Sequence, residues 1–332
     1  MKNKNIKIAL FYGGKITRHL VMIREAARKL GVNLKLISYN SVSFETETGK
    51  VNLRGEELDK FDVVFFRTTG KHWEEVDLIN YQLRITNYEL KKKPIIVDPM
   101  VKDGKPSQAC KAWQMLKLKE AGIPVPRTVY GSLWYLYEVM TRQQFFVDAH
   151  TNARRVTAVL QKKPIDSPFN FPVILKGSGG DRGTRVFKAD NLNELEKLVR
   201  DLRKSETEEG RRYMLQEYIE NKGDYRVLIL GEKVLGVMKR YRKDRQDFRN
   251  NFSMGGEVEV AELPPEIKKL AVKAAKVCGL MVAGVDIMPK GDDYVVLEVN
   301  KGPQFWGFMK ATGIDVPMEI VKFLVGLSKN KC

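Results

Sequence analysis

The sequence predicts a chain of mixed class, a parallel α/β unit followed by α+β units, and three observations carry that reading. Apolar runs alternate with helical patterns through the first hundred residues. A glycine-rich turn joins two strand-like runs in the middle of the chain. Two strand patterns bearing carboxylates lie near its C-terminus.

In the first unit, expected over 1–106, strands are read at IKIALFY (6–12), VNLKLIS (32–38), DVVFFR (62–67) and PIIVD (94–98). Helical patterns at 18–30 and 74–90 alternate with them, which implies a mostly parallel sheet. Gly13 and Gly14 follow the first strand without the glycine spacing of a dinucleotide fingerprint, so a Rossmann cofactor site is set aside. The second unit, expected over 107–213, opens with a helix over 108–121 that Gly122 ends. Residues 131–170 are rich in aromatics (Trp134, Tyr135, Tyr137, Phe145, Phe146), then polar and basic, and end in the turn-like SPFNFP, with no periodic pattern that places them. The strands VILK (173–176) and TRVFK (184–188) then flank the glycine-rich turn, and a helix follows over 192–203. The third unit, expected over 214–332, has strands at 214–219, 224–230, 233–241, 283–289 and 294–300, with helices over 264–278 and 316–327.

Composition narrows the class. A chain of 332 residues, 43% hydrophobic, can bury a substantial core. No run approaches the roughly 20 apolar residues that span a bilayer. Cys110, Cys278 and Cys332 have no pairing or zinc-ligand spacing, and together these features lead us to expect a cytoplasmic protein without membrane association. The net charge of +17 favours polyanionic partners, or is a solvated basic surface.

Three patterns carry chemistry. Strand alternation puts Glu298 and Asn300 on one face of YVVLEVN, with Leu297 and Val299 on the other, and Asp286 projects similarly from AGVDIM. Such hard oxygen donors suit magnesium with nucleotide phosphates, or are polar residues satisfied by hydrogen bonds. Lys176 ends a strand before Gly177, Gly179, Gly180 and Gly183, a loop whose N–H groups can approach phosphate, or a long hairpin turn. Asp224 and Arg226 share a strand face. Beyond them Lys239, Arg240, Arg242, Arg249 and Asn251 form a phosphate clamp or a basic surface patch.

Taken in order, Lys111, Lys176 with its glycines, QEYI at 216–219, Asp224, FRNN at 248–251, AGVDI at 283–287, EVN at 298–300 and KATGIDV at 310–316 resemble the ATP-grasp superfamily. Within it the chain is most similar to the RimK-like alpha-L-glutamate ligases that modify a ribosomal protein. The resemblance covers nearly the whole chain. It implies an ATP-grasp fold with an N-terminal parallel α/β (pre-ATP-grasp) domain.

By the same resemblance, Lys111 and Lys176 hold ATP phosphates, with Gly179 and Gly180 in the covering loop. Glu217 and Tyr218 lie on the hinge strand at the adenine, Asp224 on the ribose side, and Arg249, Asn250 and Asn251 contact the nucleotide. Asp286, Glu298 and Asn300 ligate two Mg2+ ions, which Mn2+ could replace, with Glu298 bridging them, and Arg67 lies near the amino-acid substrate. The implied reaction joins a carboxylate to an amine through an acyl-phosphate, with Arg240 or Arg249 stabilising the oxyanion. Asp286→Asn or Glu298→Gln is then expected to abolish ligation and leave the fold intact. Glutamate and a protein or peptide acceptor are the expected partners, with ribosome association and homo-oligomer formation compatible with the sequence.

The aromatic stretch over 131–170 is longer than the family's and is expected to recognise the acceptor, as variable loops on a fixed scaffold do. The chain departs from the family also after EVN, where Lys301-Gly302-Pro303-Gln304-Phe305-Trp306-Gly307 replaces small residues followed by Pro-Gly-Leu-Glu-Gly. That run leaves open a ligase that joins an amino acid to a small metabolite or carrier protein. The charge leaves open a non-enzymatic nucleic-acid-binding protein.

Overall fold

The computed structural model describes residues 6–70, 72–89, 94–102, 110–141, 146–147, 154–155, 169–178, 185–241 and 256–329. Gly179, Gly180, Gly183, Arg242, Arg249, Asn250 and Asn251 lie outside the described residues.

The N-terminal unit runs β1 (Lys7–Tyr12), α1 (Arg18–Lys29), β2 (Asn33–Ser38), β3 (Ser43–Glu45), β4 (Lys50–Asn52), β5 (Val63–Phe66), α2 (Trp73–Glu89), β6 (Ile95–Val97) and α3 (Pro99–Lys102). Its sheet is parallel, in the order β2-β1-β5-β6, as the alternation of strands and helices implied. Strands β1 and β5 are buried on both faces, which explains their unbroken apolar character. Helix α1 buries Leu20, Ile23, Ala26 and Ala27, one stripe of a 3.6-residue period. Strand order reverses between β1 and β5, so their carboxyl ends, at Gly13 and Arg67, flank the crevice where open α/β sheets bind ligands.

The central unit comprises α4 (Lys111–Glu120), β7 (Thr128–Gly131), α5 (Leu133–Thr141), β8 (Phe146–Val147), β9 (Arg154–Arg155), β10 (Val173–Gly177), β11 (Val186–Ala189), α6 (Leu192–Glu208) and β12 (Tyr213–Glu217). An antiparallel sheet, β11-β10-β12-β7, carries α5 and α6 against a shared core. Strand β12 pairs with β10 along its whole length, so the change of sheet falls after Glu217.

The expectation that the aromatics after residue 131 form a recognition loop needs correction. Leu133, Leu136, Tyr137 and Val139 are buried in the α5–α6 core, with the Trp134 and Tyr137 rings edge-to-face. Apolar residues at helical spacing, not loop composition, decide that stretch. Phe145 and most of 142–168 lie outside the described residues.

The C-terminal unit consists of β13 (Asp224–Leu230), β14 (Lys233–Tyr241), β15 (Glu257–Val260), α7 (Pro265–Val277), β16 (Val282–Lys290), β17 (Asp293–Lys301), α8 (Trp306–Thr312) and α9 (Val316–Lys329). Its antiparallel sheet has the order β15-β14-β13-β16-β17. Helix α9 contributes Ile320, Val321 and Leu324 to the core that holds Leu20 and Ile23 of α1, so the first and last units share one apolar interior. That packing sets the carboxyl ends of β5 and β6 against the segment that follows β17: the Arg67 guanidinium Nη2 donates to the Pro303 carbonyl at 2.8 Å. No described helix is long and apolar enough to cross a membrane.

Candidate functional site

Register places the charged side chains. Across the C-terminal sheet Arg240 stands opposite Asp224, Arg226 opposite Asp286, and Asp286 opposite Glu298. Pairs directly opposite lie on one face, so Asp224, Arg226, Arg240, Asp286, Glu298 and Asn300 form a polar surface on an otherwise apolar sheet. The register shifts next to Asp286, where Ile287 pairs with Val296 and Leu297 is the extra residue. This bulge leaves Leu297 half-buried, not packed in the apolar layer as strict alternation predicts.

Asp286 is held on both oxygens. Arg226 grips it with Nε to Oδ1 and Nη2 to Oδ2, both at 2.8 Å; Arg240 Nη2 reaches Oδ2 at 3.0 Å, and the Asn300 amide donates to Oδ2 at 3.1 Å. Burial opposes its ionisation, but Arg226 and Arg240 prevail and bring its pKa down to about 2. Asp224, which accepts from Arg240 Nε at 2.6 Å, responds the other way: burial raises its pKa against the pull of that guanidinium. These two carboxylates and two guanidiniums form a charge-balanced buried quartet.

Lysines approach from the neighbouring units. Lys111, the first residue of α4, places Nζ 3.1 Å from Glu298 Oε1. One turn on, Gln114 donates to the Val299 carbonyl at 2.8 Å and accepts from its N–H at 3.3 Å, fixing α4 to β17. Lys176 of β10 is partly buried, and desolvation, helped by the charge of Lys111, lowers its pKa to about 8 in spite of Glu298, Asp224 and Asp286.

Could this group hold a divalent ion? Its oxygen donors are of the hard type that Mg2+ takes, Glu298 is half-exposed, and four cationic side chains there already face three carboxylates, so added phosphate is electrostatically welcome. The residues fit the group, with Glu298 the more available carboxylate and Asp286 committed to its arginines.

The other expected positions have partners of their own. The Glu217 carboxylate accepts from the Arg127 N–H at 2.9 Å and from Lys290 Nζ at 2.6 Å, so its side chain ties β12 to the end of β16. The Tyr218 ring lies under Lys188 Nζ at 4.8 Å. Arg240, expected to meet an oxyanion, is buried with donors committed to Asp224 and Asp286. Arg67 sits across the seam from β17, fully buried beneath Phe305.

At that seam the structure adds residues the motifs did not single out. Asp98 closes β6 in the left-handed region, φ 65°, and its Oδ1 accepts from the N–H groups of Met281 and Val282 at 2.7 and 3.1 Å. Burial raises its pKa, offset by Lys301 and those N–H groups. Lys301 Nζ lies 5.2 Å over the Trp73 ring, and burial lowers its pKa to about 8 against the pull of Asp98. The signal for Lys301 was present in the sequence as the departure after EVN. Asp98 carried only its place at the end of a strand.

A sequence model of the RimK-like ATP-grasp domain matches residues 138–324, more than half of the chain. The chain belongs to that family. A relative named probable alpha-L-glutamate ligase 1, from Shewanella frigidimarina (strain NCIMB 400), is 27% identical over 314 residues, covering 91% of this chain and 89% of its own. A probable alpha-L-glutamate ligase from Halorhodospira halophila (strain DSM 244 / SL1) is 37% identical over 155 residues, 46% of this chain and 50% of its own. Among solved structures, the ATP-grasp ligase PsnB with a phosphomimetic variant of its minimal precursor, Mg and ADP aligns at TM-score 0.67 and 19% identity over 98% of this chain and 100% of that one. A RimK domain ATP-grasp protein from Sphaerobacter thermophilus DSM 20745 aligns at 0.64 and 16% identity over 96% and 98%. The fold is thus the ATP-grasp fold with a parallel N-terminal α/β unit, as the motif order implied. The shared match runs from the end of α5 through β17 and into α9, so every carboxylate of the site lies within it.

Proposed function

We propose that this protein is an ATP-dependent carboxylate–amine ligase that adds glutamate to a protein or peptide acceptor. The observation that carries this reading is the convergence of Asp286, Glu298 and Asn300 with Lys111 of α4 and Lys176 of the central sheet. Family membership and relatives named glutamate ligases support it.

Lys111 and Lys176 would neutralise the triphosphate, and Glu298, Asn300 and Asp286 would hold magnesium. Bound there, magnesium supplies charge neutralisation at the phosphoryl oxygens. A carboxylate oxygen of one substrate attacks the γ-phosphorus, the bond to the β–γ bridging oxygen breaks, and ADP leaves. The acyl-phosphate then meets the amine of the second substrate. A C–N bond forms, the C–O bond to phosphate breaks, and the amine loses a proton. Arg226 and Arg240 act at one remove, holding Asp286 ionised and oriented, so the oxyanion role falls to Arg249 of the segment outside the described residues. Gly179 and Gly180 would cover the phosphates, and Asn250 and Asn251 would contact the nucleotide.

The test is ADP release by the full chain with Mg2+ and ATP, measured with glutamate and an acidic peptide together and apart, with products weighed by mass spectrometry. Release that depends on glutamate and yields a peptide heavier by a glutamyl residue supports the reading. Release indifferent to every amino acid and peptide sinks it.

A further inference from the structure

The crevice at the carboxyl ends of β1 and β5 holds an ionisable pair that the proposed reaction leaves unused. His72, the residue before α2, directs Nδ1 at Glu75 Oε1, 3.2 Å away. Its ring stacks on that of Tyr39 with centroids 5.2 Å apart and planes 19° from parallel, and the Tyr39 hydroxyl donates to the Arg67 carbonyl at 3.3 Å. The far edge of the imidazole lies against Gly13, where an added Cβ would come 2.6 Å from Cδ2 and 3.0 Å from Nε2, so only glycine lets the end of β1 run past the ring. The ring is thus fixed by Glu75, Tyr39 and Gly13. Its Nε2 makes no hydrogen bond among the described residues, and the side chain is 23% exposed.

A carboxylate on Nδ1–H leaves the lone pair on Nε2 and favours the cation formed when Nε2 takes a proton. The charges around the pair are Glu75 itself, Arg67 and Asp98 on the far side of Tyr39, and Lys301 over the ring of Trp73. The same loop packs against the segment that leaves the carboxylate-bearing strand. A Cβ on Gly302, two residues and so about 7 Å of chain beyond Asn300, would lie 3.3 Å from Arg67 Cγ and 3.7 Å from the Thr68 nitrogen. Thr68 Oγ1 in turn accepts from the Gly13 N–H at 3.3 Å, so the crevice opens beside the end of β17. Other ionisable groups there are committed: Asp224 and Asp286 answer to arginines, and His19 packs edge-on against the Phe305 ring.

We propose that His72, oriented by Glu75 and Tyr39, is the base that deprotonates the attacking amine, a catalytic residue for the second half of the reaction. The inference rests on the ligase reading and deepens it. An α-amino group is largely an ammonium at pH 7, with no lone pair to attack. Nε2 takes one of its protons, and the freed amine forms the C–N bond. The C–O bond to phosphate breaks, and a second proton leaves with the phosphate. Water then discharges the imidazolium. The first half, transfer of the γ-phosphoryl group to a carboxylate, asks nothing of His72.

The experiment separates the halves by changing the nucleophile. Hydroxylamine is uncharged at neutral pH and needs no base; with ATP, Mg2+ and either an acidic peptide or L-glutamate as the carboxylate, it converts the acyl-phosphate to a hydroxamate. His72→Gln is expected to form hydroxamate within about threefold of wild type, and to join L-glutamate to the peptide at least about 100-fold more slowly. That deficit should shrink as pH rises and the amine loses its proton unaided. His72→Ala gives a second reading should the glutamine variant fail to fold, with transfer expected to recover when imidazole is added. Equal loss of hydroxamate and transfer in a folded variant makes His72 structural and overturns the base, as does transfer that a folded variant keeps. The two readings fail differently. Wild type that yields neither hydroxamate nor product removes the ligase and the base together, whereas hydroxamate from wild type with unimpaired transfer by His72→Gln removes the base alone.

Discussion

Gln114 bonds the backbone of Val299 in both directions, and through that contact Lys111, one helical turn earlier, is set against Glu298. A side chain with no part in the chemistry thereby joins the helix that brings a lysine to the strand that brings the carboxylates. Gln114→Leu leaves the Val299 N–H and carbonyl unsatisfied, at about 1–3 kcal/mol. Chemical denaturation is expected to show that loss, and steady-state kinetics a raised KM for ATP from the displaced lysine. An unchanged KM would mean that α4 is held by its apolar contacts alone.

Asp286 and Glu298 are expected to differ in what their amides do. Glu298 is half-exposed and meets Lys111, so Glu298→Gln removes charge from the centre at little cost in stability; ADP release should fall about 100-fold or more. Asp286 answers to two buried arginines, so Asp286→Asn is expected to cost about 3–5 kcal/mol as well as activity. The sequence treats the two as equivalent metal ligands with no part in the fold; partner geometry separates them. Equal melting temperatures for the two variants would refute the distinction.

Lys176 gives a pH dependence of defined sign. Burial lowers its folded pKa from the ordinary 10.5 to about 8. While charged, below about 8, it costs the fold stability, and that cost is relieved as pH rises from 8 toward 10.5. Nucleotide binding moves the opposite way, because a neutral amine gives up its attraction for phosphate. The kcat/KM for ATP is expected to fall tenfold per pH unit above about 8, and to lose that limb in Lys176→Arg. A flat profile to pH 9.5 would remove Lys176 from the phosphate site.

Helix α5 tests the corrected reading of the aromatic stretch. Leu136 is fully buried and Tyr135 is 44% exposed. Leu136→Ala is expected to destabilise by about 2–5 kcal/mol, whereas Tyr135→Ala should stay within about 0.5 kcal/mol. Urea titration measures both. A large loss from Tyr135→Ala together with tolerance at Leu136 would turn the helix over.

Sequence by itself determined the order of elements, since period and punctuation are local: alternating runs gave the parallel N-terminal sheet, and strict alternation put Glu298 and Asn300 on one face. Motif order carried the family, because ordered residue types along a chain need no coordinates to be read. Tertiary structure decided what each charge does. Asp286 is far in sequence from Asp224, Arg226 and Arg240, and only the register of β13, β14 and β16 makes the four one quartet, in which Arg240 is spent on carboxylates. The same holds at the seam, where Arg67 reaches the Pro303 carbonyl because α1 and α9 share a core that draws the end of β5 to the segment after β17. Burial and cross-strand pairing are long-range quantities, and they set protonation, partner and cost in ways that no local pattern encodes.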